Sequence, residues 1–149
     1  MPTGNYISFS VSNAQIANVI SQINAASVEK QAAIKQEIVD TTYAIEGAAK
    51  RNAPVASKFG GLLRAEIHSQ IRSDDLGGRV WVNVPYGPFQ EFGTGTMVSI
   101  PEGWEAFAAQ FRGKGIRQIN MPARLYMFRA WEIQVPIFLA NIKRILGVK

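Results

Sequence analysis

Hydrophobic residues recur along this chain in two rhythms. Between Val28 and about Asn52, Ile34, Ile38, Thr41 and Ile45 fall three or four apart with Ala48 and Ala49 beside them, the spacing of one helix face. Pro54 fixes the end, because the residue before a proline is pushed out of the helical region. Further on the period drops to two. Ile67, Ser69 and Ile71 alternate with His68, Gln70 and Arg72, and Val80, Val82 and Val84 alternate with Arg79, Trp81 and Asn83. Asp74, Asp75, Leu76, Gly77 and Gly78 lie between, so the two runs predict strands of an antiparallel hairpin.

Other segments fill in the order. Ile7, Phe9 and Val11 alternate with serines, predicting a short strand, and Asn13 is placed to cap a helix carrying Ile16, Val19, Ile20 and Ile23. Residues 54–61 are a loop by their proline, serine and paired glycines. Residues 85–96, with two prolines, three glycines and two threonines, are expected to form a shaped loop without regular structure. Met97 to Ile100 is expected as a further strand, and Gly103 to Phe111 as a short helix with Trp104, Phe107 and Phe111 on one face. Pro122 suits the first turn of a long apolar helix reaching to about residue 146, through Leu125, Phe128, Trp131, Ile137, Ile142 and Leu146. Pro136 inside it predicts a kink or a division. The order describes one α+β domain over residues 1–149, an antiparallel sheet with its hairpin covered by the helix at 28–52 and the C-terminal helix.

Composition narrows the chemistry. A 149-residue chain buries roughly 70% of its unfolded surface when folded as one domain. With no cysteine and one histidine it has no thiolate metal site and little basis for zinc chemistry. The first residues lack a basic flank and a long apolar run, so neither a signal peptide nor a membrane span is expected. Charge is uneven: residues 1–105 hold 8 basic and 10 acidic groups, whereas residues 106–149 hold 8 basic groups against Glu132 alone. That field could draw nucleic acid or an acidic protein surface, although a solvated helix face with a basic loop accounts for it more simply.

Candidate catalytic groups do not assemble in the sequence. GGLLR and GTGT lack the spacing of a phosphate loop, there is no GxSxG, and His68 falls on the polar phase of its strand. Asp74 and Asp75 read as turn formers. Trp104, Phe107 and Phe111 near Arg112 and Lys114 could stack bases, but packing of an amphipathic helix explains them more economically. No catalytic, cofactor or metal residues are expected.

Three separated pieces resemble one family, the tail-component and head–tail joining proteins of the type known from phage HK97 gene product ten. The first is AAKRNAPVASKFGGLLRAEI, with Ala53, Pro54, Gly61, Leu63 and Arg64 in the family's pattern. Lys58 and Phe59 stand near the place of its usual aspartate–threonine. The second is a strand, Tyr86, and then Glu91, Phe92, Gly93 and Thr94. The third is Pro122, Ala123 and Arg124 opening an aromatic-rich final helix, with Leu125 and Tyr126 where the family more often has proline and phenylalanine.

The resemblance implies a non-enzymatic virion protein forming a ring, with a hexamer expected, at the neck or tail top of a tailed phage. Its partners would be its own copies, head-side connector or adaptor proteins, and tail tube or terminator proteins, with assembly in the host cytoplasm. A tail terminator or minor tail protein is the alternative within that class, and a basic DNA-binding module the alternative outside it. Residues 97–120 are expected as a protruding insertion whose Arg112, Lys114 and Arg117 meet a neighbouring subunit or channel DNA. Glu91 is expected either to pair with Arg124 or to accept loop N–H groups. Gly93 and Gly95 are expected at positive φ.

Overall fold

The computed structural model describes residues 21–56, 60–105 and 120–148. The expected strand at 6–11, the start of the helix after Asn13, most of the helix at 103–111 and the basic residues Arg112, Lys114 and Arg117 lie outside the described residues.

Helix α1 runs Val28–Asn52, as its periodicity predicts. Ser27 caps it, its hydroxyl accepting the Lys30 N–H at 3.4 Å, and extended Ala53 before Pro54 ends it. Its inner face is Ile34, Thr42, Ile45, Ala48 and Ala49. Thr42 takes the buried place expected for Thr41, because the hairpin closes on it: a Cβ on Gly78 would overlap the Thr42 side chain.

The segment after α1 holds a four-residue helix, α2 (Leu62–Ala65), that the loop chemistry of GGLLR did not announce. Strands β1 (Ile67–Ile71) and β2 (Gly78–Val82) then pair antiparallel with Ile67 opposite Val82 and Ser69 opposite Val80. The turn is built as its aspartates suggest. Asp74 Oδ1 accepts the Leu76 N–H at 3.0 Å, a bond that holds this carboxyl below the usual range. Asp75 takes the left-handed conformation, φ 57°. Ile67, Val80 and Val82 are buried. The other face carries His68 and Trp81, with the Arg79 guanidinium 4.8 Å from the Trp81 ring centre.

Two expectations fail beyond β2. Residues 85–96 contain a helix, α3 (Gly87–Phe92), because Pro88 sits in its first turn, where a preset φ helps and no N–H is missed. Met97 to Ile100 is not a strand: Gly95–Met97 is a 3₁₀ turn, and the Ser99 N–H goes to the Phe92 carbonyl at 2.9 Å. That bond folds the segment back on α3 and leaves it no ladder.

Helix α4 spans Tyr126–Leu146, starting later than Pro122 suggests. The Arg124 and Leu125 N–H groups are held at 3.0 Å by the Gln90 and Glu91 carbonyls, and Leu125 adopts φ 48°, so the helical path cannot begin before Tyr126. Pro136 does not divide α4. It lies on the exposed side, where water can satisfy the carbonyl it frees. Helices α1 and α4 run antiparallel and make the fold's most extensive packing. Lys30 Nζ donates to the Leu146 carbonyl at 3.3 Å and Asn141 Nδ2 to Glu37 Oε1 at 2.9 Å.

The architecture is α+β: a two-stranded antiparallel sheet and the α3 corner pack on one end of the α1–α4 pair. The core there joins Ala49, Leu63, Ile67, Val82, Phe92, Tyr126, Met127 and Ala130. Among the described residues no helix is long and apolar enough to cross a membrane.

Candidate functional site

Leu125, at the N-cap of α4, offers no side-chain acceptor, although the first turn of any helix exposes N–H groups that need one. Glu91, distant in sequence, supplies it. Its Oε2 accepts the Met127 N–H at 2.9 Å and its Oε1 the Phe128 N–H at 2.7 Å. The carboxyl is wholly buried, at the end of a helix dipole that favours negative charge. Burial nevertheless dominates and pushes its pKa up to about 7, against the opposing pull of the Met127, Phe128 and Tyr126 N–H groups and the Arg129 charge.

Further bonds lock the same corner. The Tyr126 hydroxyl donates to the Gly87 carbonyl at 3.2 Å, and burial together with the Glu91 and Tyr86 charges raises its pKa. The Thr94 N–H donates to the Met121 carbonyl at 2.9 Å, and the Met121 N–H returns to Thr94 Oγ1 at 3.0 Å, forming an isolated antiparallel bridge. Gly93 and Gly95 stand at φ 77° and 62°, as expected.

Arg124 is not the partner of Glu91. The ion pairs among the described residues are Glu46–Lys50 and Arg72–Asp74, with His68 Nε2 in addition 3.4 Å from Glu66 Oε2. Both Glu91 oxygens are taken by helix N–H groups, and Arg124 is exposed. Of the two sequence readings the N–H acceptor role holds, with the N–H groups belonging to α4 and not to the loop. Arg124→Ala is therefore expected to change urea-unfolding stability by less than about 0.5 kcal/mol, the usual range for a surface substitution.

The arginine instead lines a groove of about 340 Å³ together with Pro54, Gly61, Leu63, Tyr86 and Gln90. Residues from all three motif pieces therefore meet around one concave surface. Arg64 reaches back to the Ala53 carbonyl at 3.4 Å, tying α2 to the end of α1. Leu63 and Phe92 enter the core. Pro122 and Ala123 lead into α4, with the Ala123 backbone N close against Gly93.

Sequence reasoning missed the N–H groups of Met127 and Phe128, and the Tyr126–Gly87 bond. One signal was present: NMPARLYM has no Ser, Thr, Asp or Asn immediately before the apolar helix, so its cap had to come from elsewhere. Among the described residues of this corner, Glu91, Thr94 and Tyr126 each bond a main-chain group of another segment. Among the described residues no group of three His, Asp or Glu is placed to hold a metal. Comparison with family models, characterised proteins and solved structures finds no match.

Proposed function

We propose that this chain is a structural virion protein acting in head–tail joining, as a neck or tail-completion ring of a tailed phage. The observation that supports it most is the convergence of Glu91, Phe92 and Gly93 on the Pro122–Arg124 step and the start of α4. Residues that carry the family resemblance only as separated strings are here one packed corner. A rigid corner of this kind suits a protein whose work is to present complementary surfaces to neighbours, with no bond chemistry. Copies of the chain would form the ring, with connector or adaptor proteins on one side and tail tube or terminator proteins on the other.

Electron microscopy of particles assembled without this protein tests the reading. Full heads separate from finished tails are the expected result. Overlong tails would move the role to that of a terminator. Intact infectious particles would overturn the proposal.

A further inference from the structure

The groove beside Arg124 carries side chains whose bonding capacity the fold leaves unused. Val55 and Leu62, each 53% exposed, line it, apolar surface turned to water at a concave site. Arg124 is the only charged residue among the described residues of the lining. Its main chain is pinned, the Arg124 N–H donating to the Gln90 carbonyl at 3.0 Å, while its guanidinium has no carboxylate partner among the described residues. Gln90 is poorly matched as well. Its Nε2 donates to the Met121 sulfur at 3.3 Å, and a thioether is a weak acceptor. Its Oε1 accepts no hydrogen bond among the described residues. Tyr86, 39% exposed, brings a phenol to the same lining.

We propose that this groove binds an extended peptide segment of a partner protein in which an aliphatic residue stands beside a side-chain carboxylate. Three features select that chemistry. First, the lone guanidinium complements one carboxylate, which it can hold through two parallel N–H donors. Second, the Gln90 amide offers a donor and an acceptor side by side, the complement of a peptide bond, and a peptide carbonyl is a better acceptor for its Nε2 than the Met121 sulfur. Third, Val55 and Leu62, with buried Leu63 between α1 and the groove's other wall, give an aliphatic side chain apolar contact in place of water. A nucleic-acid strand fits poorly, because it brings a charge with every nucleotide and stacks on aromatic platforms, whereas this lining offers one cation and one aromatic ring. At about 340 Å³ the groove lies at the lower end of the roughly 300–1,000 Å³ usual for ligand sites. The bound stretch is therefore short and its affinity modest. The inference rests on the groove alone and is independent of the neck role.

Chemical-shift titration of the full chain with three probes provides the test: acetyl-Leu-Glu-Leu-amide, its Gln counterpart and its Lys counterpart. The Glu peptide is expected to saturate with a dissociation constant on the order of 0.1–1 mM, moving the amide signals of Leu62, Tyr86 and Gln90. The Gln peptide should bind roughly tenfold more weakly, and the Lys peptide more weakly still. Arg124→Ala, expected above to leave stability nearly unchanged, should bring the Glu peptide down to the level of the Gln peptide. Leu62→Ser should weaken both peptides alike. Equal binding of the Glu and Gln peptides, a Glu preference that survives Arg124→Ala, or no saturation by about 10 mM would overturn the proposal. So would tighter binding of an oligothymidylate at the same signals, which would assign the groove to nucleic acid.

Discussion

Gly93→Ala is expected to be strongly damaging, lowering stability by about 4 kcal/mol. Gly93 combines φ 77° with ψ −175°, a region open almost only to glycine, where another residue costs roughly 1–3 kcal/mol in strain. The space is closed as well. A Cβ would stand 2.5 Å from the Met97 carbonyl oxygen, 2.6 Å from that of Met121 and 2.8 Å from the Ala123 nitrogen. These are backbone atoms of two other segments, one at Met97 and one at Met121 and Ala123, so relief requires moving the corner, at a further cost of roughly 1–3 kcal/mol. Gly61→Ala is the control. Gly61 has φ 110° but open space around its missing side chain, so only the backbone strain applies, about 1–2 kcal/mol. Urea unfolding of both variants checks the order. Equal losses would show that the contacts around Gly93 yield.

The contrast between these glycines marks how far the sequence could be read. Local rules sufficed where the signal is local. Ile34, Ile45, Ala48 and Ala49 with Pro54 define α1 and its end, and Asp74 and Asp75 between alternating runs define the hairpin. They failed where backbone groups distant in sequence decide the outcome. α3 is concealed by prolines and glycines that read as a loop, yet Pro88 at its first turn is a helix start. α4 begins at Tyr126 because the Gln90 and Glu91 carbonyls hold the preceding N–H groups, a constraint that no spacing within residues 120–146 records. The same holds for Glu91: its value as an acceptor was legible in its charge, but its partners are main-chain N–H groups without a residue identity to read. Salt-bridge logic therefore pointed to Arg124, the nearest cation in the motif. The groove follows from the fold alone, since Pro54, Tyr86 and Arg124 come from three different stretches.

Glu91→Ala should remove about 3 kcal/mol, because it leaves the Met127 and Phe128 N–H groups buried without their acceptor and opens a small cavity. Glu91 also sets the response to pH. Its pKa rises from 4.5 in the unfolded chain to about 7 in the folded one, so between those values the folded state holds a proton that the unfolded state has lost. The resulting stabilisation is fully present below about pH 4.5 and disappears as pH rises through 7. A shift of this size corresponds to about 3 kcal/mol. Unfolding midpoints of the native chain should thus fall from pH 5 to about pH 7 and level off by pH 8, whereas Glu91→Gln, which cannot titrate, should show no such slope. A native chain equally stable at both ends of that range would mean that the two N–H bonds and the helix dipole compensate burial fully, with the carboxylate charged throughout. A slope shared by native chain and variant would assign the titration to another group. The charge on Glu91 bears directly on the first turn of α4, whose Met127 and Phe128 N–H groups it holds, at the corner where α3 meets that helix.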